Sequence, residues 1–208
     1  MLKLNKKDFM NALKFAIECA PKKDVRYYLN SVLLNVHSDS VRIVSTDGYR
    51  LSVVTLEVEY VPFELINERI IIERGSVEQL IKVFKVAGNG SAGEKVEQLE
   101  LRFEDVLKVA GEGSEINLKV VEGKYPDFDR LISGKPFGNG SVESIGFDAN
   151  YLSSAAKMFK VMMKSMNETA LKLDFTDSSG LTRFTLSEGV RSCGQLKDAV
   201  MYLMPCRV

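Results

Sequence analysis

The sequence predicts an α+β fold in which antiparallel sheets carry helices on one face, and three observations predict it. A strand–helix–three-strand pattern occurs three times within 208 residues. The helix starts fall roughly 70 residues apart, as expected of a repeated supersecondary unit. Each helix carries a single apolar stripe, which is buried only by lying on a sheet.

In the first unit, residues 1–4 read as a strand. A helix over 6–20 follows, because Phe9, Leu13, Ile17 and Ala20 recur at helical spacing. Asn5 is its N-cap and Pro21 ends it. Strand-like runs at 28–36, 41–46 and 51–58 complete the unit, with the turn pair Asp47, Gly48 between the last two. In the second unit, 69–72 reads as a strand. Ser76 with Gln79 forms a capping box for a helix with Val77, Leu80, Ile81 and Phe84 on one face. The Gly-rich stretch 88–93 is a loop, and strands follow at 98–103, 106–110 and 115–121. The third unit opens with a strand at 142–147. Asp148 caps a helix with Leu152, Ala155, Phe159 and Met162 on its apolar face, and strands at 170–175, 181–186 and 199–203 close the chain. The stretch 133–141 is rich in Gly, Pro and Ser and is the best boundary between domains.

Apolar residues are 45% of the chain and charged residues 27%, enough for a sizeable core. The formal net charge of zero argues against a protein that coats nucleic acid, which needs many uncompensated Lys and Arg. A neutral chain can still sort its charges onto different faces. Cys19, Cys193 and Cys206 are far apart and show no paired spacing, so neither a disulfide framework nor a zinc site is expected, and a reducing cytosol fits. The first residues lack the apolar run of a signal peptide, and no stretch approaches a membrane span.

Catalysis finds little support. His37, the only histidine, sits in a β-rich run with no partner implied by spacing. Asp47, Asp127 and Asp129 could be imagined as metal ligands, but turn chemistry explains the first better. The stretch AGNGSAG lacks the Lys–Ser/Thr ending of a phosphate loop. No cofactor and no metal are expected. Met158, Met162, Met163 and Met166 read as adaptable core or groove filling. The polar helix faces are more informative. Lys157, Lys160 and Lys164 form one stripe, Lys7 and Lys14 another, and Lys82 and Lys85 a third, with Lys22 and Lys23 just beyond the first helix. They suit a DNA-facing surface and, equally, ordinary solvated helix faces.

Five motifs carry a resemblance. The runs DVRYYLN (24–30) and STDGYRL (45–51) look like the D-x-R-Y-x-L-N and A-T-D-G-H-R-L of the bacterial DNA polymerase III β subunit, the sliding clamp family. KYPDFDR (124–130) resembles the family's G-x-[FY]-P-D-Y, GFDANYL (146–152) its G-F-N-x-x-Y-[LV], and MPCRV (204–208) its terminal M-P-M-R-L. Each motif is weak alone, but in this order they are specific and span nearly the whole chain.

The resemblance implies a non-enzymatic processivity factor of DNA replication. Such a clamp encircles double-stranded DNA without regard to sequence and works in the cytoplasm, on the nucleoid. DNA polymerase and the clamp loader are the implied partners, through short linear peptides that enter a surface pocket. By motif position, one wall of that pocket would be Leu29, Thr46, Gly48, Tyr49, Arg50 and Leu51, and a second Pro126, Arg130 and Leu131. Asp148 and Tyr151 would come from the third unit, and Leu203, Met204, Pro205, Cys206 and Arg207 from the tail. Tyr49, Asp148, Cys206 and Val208 depart from the family's His, Asn, Met and Leu, which would retune partner choice. A clamp-derived adaptor or decoy, holding such peptides without encircling DNA, is the alternative, and a metal-dependent nuclease a more distant one.

The family chain has six such units and this one three. Residues 1–132 resemble its complete middle domain, and 141–208 the second half of its last. If unit two neighbours unit three, alternating contacts survive only when unit three pairs with unit three of a second chain and unit one with unit one of another. The expected homo-oligomer is a dimer through the third unit, two of which restore the family's twelve units in a tetrameric ring.

Overall fold

Alternating apolar positions in the strands and one apolar stripe per helix leave a single economical arrangement, helices laid across sheets. A computed structural model shows that arrangement and describes residues 1–85, 97–103, 106–138, 142–163, 170–177, 179–187, 189 and 194–206. The predicted Gly-rich loop at 88–93 and the residues Lys164, Met166, Cys193, Arg207 and Val208 lie outside the described residues.

Unit one comprises β1 (Leu2–Asn5), α1 (Lys6–Ile17), β2 (Ser31–Val36), β3 (Ser40–Thr46) and β4 (Arg50–Glu57). Unit two comprises β5 (Arg69–Glu73), α2 (Arg74–Val83), β6 (Gln98–Phe103), β7 (Leu107–Gly111) and β8 (Ser114–Leu118). A short helix α3 (Asp129–Ile132), not expected from the sequence, leads into unit three, with α4 (Ala149–Met162), β9 (Leu171–Asp174), β10 (Thr182–Leu186) and β11 (Leu196–Leu203). All strand pairs are antiparallel. They form a sheet in the order β1-β6-β7-β8 and a seven-stranded sheet in the order β5-β2-β3-β4-β11-β10-β9.

Two features of this topology are long-range. Units one and two exchange the strand before each helix, so that β1 pairs with β6 and β5 with β2. Unit three continues the sheet of unit one, with β11 paired to β4 from Leu203↔Arg50 to Leu196↔Leu56. The expected adjacency of units two and three is therefore corrected. Unit one's edge strand β4 is occupied by unit three, and the chain's units run two–one–three in space.

The main core lies between the sheets and a row of helices in which α1 sits between α2 and α4. Phe15 of α1 and Phe159 of α4 are fully buried and meet edge to face, centroids 5.0 Å apart. Alternation splits β2 between two cores: Val32 and Leu34 face the helices, whereas Leu33 belongs to a smaller cluster on the other face with Leu29, Leu51, Tyr125, Phe128 and Tyr202. Asp8 of α1 accepts the backbone N–H groups of Gln195 (2.9 Å) and Leu196 (3.1 Å), pinning the start of β11 to unit one.

The caps at Asn5 and Asp148 are as expected, their side chains accepting from Asp8 N and Asn150 N. The capping box at Ser76 is not. Helix α2 begins at Arg74 directly from β5, and the Ser76 hydroxyl accepts from Lys119 N (3.0 Å) instead. Arg74 reaches across to the carbonyl of Ile17, the last residue of α1, and to that of Ala20 in the turn beyond it, where a cation is favoured. The expected strand at 142–147 is reduced to one bridge, Gly146↔Cys206, and Leu152 is 39% exposed rather than buried.

One ion-pair cluster makes stability pH-dependent. Asp174, nearly buried in β9, accepts from Arg183 Nη2 (2.7 Å) and Nε (3.1 Å) and pairs with Lys172 (3.2 Å). Burial works to raise its carboxyl, but the bonds from Arg183 and Lys172 outweigh it and hold the group below its ordinary value. A carboxyl lowered in the folded state stabilises the fold above the unfolded value, about 3.9, and the contribution is lost as pH falls through the folded one. The melting temperature should therefore fall on acidification from about pH 5 to pH 2, and less steeply in Asp174→Asn. Parallel profiles for the two proteins would contradict this.

Candidate peptide-binding surface

The turn between β3 and β4 organises the first predicted wall. The Asp47 carboxylate accepts from the backbone N–H groups of Tyr49 and Arg50, both at 3.0 Å, and pairs with Arg50 Nε at 2.8 Å. It is turn chemistry, not a metal ligand. Gly48 sits at φ +96°, and a Cβ there would lie 3.1 Å from the Arg26 guanidinium, so the position demands glycine. Arg26 is itself clamped by Asp24, through bonds of 3.0 and 2.7 Å that pull the Asp24 carboxyl down to about 2, and it donates to the Asp47 carbonyl.

Arg50 is the hinge of the surface. Besides Asp47 it donates to Ser154 Oγ (2.6 Å) and to the Glu18 carbonyl (2.5 Å), and its guanidinium lies 4.9 Å from the Tyr151 ring centre. Tyr151 in turn stacks on Tyr49, centroids 6.4 Å apart. Burial, with the Asp47 charge next, pushes the Tyr151 phenol above its ordinary value, and Arg50 opposes the shift. The tail is tied to the same place: Met204 N–H donates to the Tyr49 carbonyl (2.9 Å) and Cys206 N–H to the Gly146 carbonyl (2.8 Å). Thr46, Gly48, Tyr49, Arg50, Tyr151, Leu203 and Met204 are thus brought together where unit three meets unit one. Tyr49 and Met204 remain 63% and 43% exposed, which leaves apolar surface open beside polar backbone.

The remaining predicted residues are placed differently. Leu29 and Leu51 are buried in the smaller cluster, under Tyr125 and Phe128, rather than lining an open wall. The segment carrying Pro126, Arg130 and Leu131 lies over the same sheet face: the Pro126 carbonyl accepts from Arg69 (3.2 Å), and Asp129 pairs with Arg42 (2.7 Å). Leu131 and Arg130 are exposed there. Asp148 caps α4, Pro205 is half-buried and Cys206 exposed. Sequence reasoning missed Ser154 and the Glu18 carbonyl, which hold Arg50. Ser154 stands three residues after Tyr151 on one helix, a spacing that places both on one face; nothing local announces the Glu18 carbonyl.

On the helices, Lys82, Lys85, Lys157 and Lys160 are exposed and Lys7 and Lys14 half-buried. None of these six forms an ion pair with a described carboxylate. Helix α4 contains no acidic residue, and the one acid within α1, Asp8, is buried. Elsewhere, Cys19 is buried and burial pushes its thiol up to about 12, and His37 meets the Asn35 amide (3.1 Å).

Comparison with known proteins bears on the family and the fold. The central domain of the DNA polymerase III beta subunit matches residues 3–127. The chain is 31% identical over 114 residues to the beta sliding clamp of Proteus mirabilis, covering 55% of this chain and 29% of that protein. With the beta sliding clamp of Pseudomonas aeruginosa the figures are 32% over 111 residues, 53% and 28%. A crystal structure of the P. aeruginosa DNA polymerase sliding clamp superposes on 99% of this chain and 66% of its own, with a TM-score of 0.75 at 17% identity. That from Bacillus subtilis covers 100% and 64%, with a TM-score of 0.73 at 12% identity. The sequence matches thus span under a third of the curated relatives, and the fold spans about two thirds of the solved chains. Because that central domain matches more than half of the 208 residues, this chain belongs to the DNA polymerase III beta subunit family.

Proposed function

We propose that the chain is a non-catalytic DNA sliding clamp, a processivity factor that encircles double-stranded DNA and takes partner peptides at the junction of units one and three. The carrying observation is the row α2, α1, α4 on one side of the sheets, with lysines on its outward faces that lack described carboxylate partners. Such a row supplies sequence-independent phosphate contacts even in a chain of zero net charge. The surface of Tyr49, Tyr151 and Met204 beside Arg50 suits short apolar peptides from a polymerase or clamp loader, with Pro126, Arg130 and Leu131 as its proposed second wall. No described helix is long and apolar enough to cross a membrane.

In this reading residues 1–132 form a complete clamp domain and 141–208 half of one. The sheets end at β1 and β8 and at β5 and β9; β1 and β5 lie at the seam of units one and two, which leaves β8 at the unit-two end and β9 at the unit-three end of the row. Alternating contacts require unit three to meet unit three and unit two to meet unit two, giving a dimer and then a tetrameric ring. The second reading, an adaptor that binds such peptides off DNA, is favoured by the same peptide surface and the half-domain. Retention on DNA separates the two. Replacing Lys157, Lys160 and Lys164 by Glu should shorten retention on circular DNA by about tenfold or more at moderate salt, equally for all sequences. Unchanged retention, or a preference for one sequence, would remove the clamp reading.

A further inference from the structure

We propose that two copies of this chain join by reciprocal strand addition, residues 145–148 of each lying antiparallel along the outer edge of the other's β9. The inference rests on the oligomeric reading above and gives it a mechanism. It comes from comparing unit three with the finished pair formed by units one and two.

That pair is stitched by each unit lending the strand before its helix to the other. The segment before α4 is already held as a lent strand is held. In unit two, Val121 N–H donates to the Ile71 carbonyl at 2.8 Å; in unit three, Cys206 N–H donates to the Gly146 carbonyl at 2.8 Å. The positions correspond. Ile71 and Gly146 each stand two residues before an N-cap, Glu73 and Asp148, and Val121 and Cys206 each stand three residues past the end of a third strand, Leu118 and Leu203. The other edge of β5 is filled by β2. The other edge of 145–147 meets no strand among the described residues.

The acceptor edge is equally prepared. Strand β9 ends the seven-stranded sheet, where its counterparts β2 and β6 receive β5 and β1. Its far end is marked in the same way: Gly138 N–H donates to the Phe175 carbonyl (3.0 Å) as Asn67 N–H donates to the Val36 carbonyl (2.9 Å). The stretch left open before that mark is the stretch that β5 occupies on β2. The core shows the same gap. Leu152, fourth residue of α4, is 39% exposed, whereas the fourth residues of α1 and α2, Phe9 and Val77, are fully buried. Leu171 and Leu173 of β9 are only partly covered.

One object satisfies both edges and the gap at once, a second copy of unit three related by a two-fold axis. Any other strand fills β9 and leaves 145–148 unused. The register follows from Leu4↔Leu99 and Leu2↔Leu101. It sets Phe147 opposite the partner's Leu171 and Ile145 opposite the partner's Leu173. Because the Gly146 carbonyl is turned to Cys206, the N–H groups of Ile145 and Phe147 face the partner.

The test uses the 208-residue chain with Cys193 and Cys206 replaced by Ser. One preparation carries Ile145→Cys and another Leu173→Cys. Mixed and oxidised, they should yield a disulfide-linked heterodimer as the main product, since directly opposed Cβ atoms come close enough to bridge. Either alone should yield little. Independently, Ile145→Pro should weaken dimerisation by roughly thirtyfold in sedimentation, because the two-fold axis loses the ladder bond twice, while the monomer's melting temperature holds. A chain monomeric at its highest soluble concentration overturns the inference. So does a dimer that tolerates Ile145→Pro but is lost on Asn117→Pro in β8. If the heterodimer forms but is not retained on circular DNA, the interface stands and the clamp reading falls. Retention without the cross-link means the reverse.

Discussion

Deleting residues 204–208 should abolish binding of a short clamp-binding peptide while leaving the fold intact. The tail is the part of the proposed surface that contributes no ladder: β11 ends at Leu203, and beyond it the described chain is held by two backbone bonds, Met204 to Tyr49 and Cys206 to Gly146. The tail nevertheless brings Met204 to the Tyr49–Tyr151 stack, and its removal opens the floor of the surface to water. A micromolar peptide corresponds to about 8 kcal/mol, and losing one apolar anchor and its wall costs about 2–4 kcal/mol, a fall of some thirtyfold to a thousandfold. Fluorescence anisotropy with a labelled peptide measures it, and far-ultraviolet circular dichroism checks the fold. Because Cys206 also holds Gly146, the point variant Met204→Asp serves as control: it spares both backbone bonds and should weaken the peptide nearly as much. Undiminished affinity in both would remove the peptide site from this surface.

Phe159→Ala should destabilise the chain by about 3–5 kcal/mol, a large share of the roughly 5–15 kcal/mol by which such folds are stable. Phe159 has no exposed surface and meets Phe15 edge to face across the seam between α4 and α1. The seam is central, since α1 also packs on β3 and β4 and is capped by Arg50 and Arg74. The surrounding Met158 and Met162 are adaptable and will recover part of the cavity, which places the expected value toward the lower end. Leu152→Ala, on the same helix but half open to solvent, should cost the monomer less than about 1 kcal/mol. Urea unfolding of both variants gives the comparison. A cost for Phe159→Ala no larger than for Leu152→Ala would show that α4 is not docked on α1.

Much of this was legible in the residues because it depends on near neighbours. All eleven strands among the described residues fall on strand-like runs of the sequence, and β6 matches its expected limits at 98 and 103. Asn5 and Asp148 cap their helices because a short side-chain acceptor reaches the N–H groups two or three residues on. Asp47 and Gly48 make their turn because one residue bonds its own backbone and the other accepts positive φ. The family resemblance, rather than any local rule, grouped Tyr49 and Arg50 with Tyr151 and Met204, which lie near one another in the fold.

What only the tertiary structure decided is which element covers which. Periodicity shows that α4 has an apolar face but not that its first turn stays open, so Leu152 looked like core. The pattern at 142–147 is that of a strand, yet a strand exists only with a partner, and its counterparts β1 and β5 find theirs in another unit. Ser76 looked like a cap because its neighbours fit the motif; β5 runs straight into α2 and draws the hydroxyl to Lys119 instead. The spatial order two–one–three was beyond any local signal, since β4 and β11 are joined by pairing across some 150 residues of chain. Local chemistry sets the shape and polarity of each element, while the choice among equally apolar partners is made by the whole chain at once.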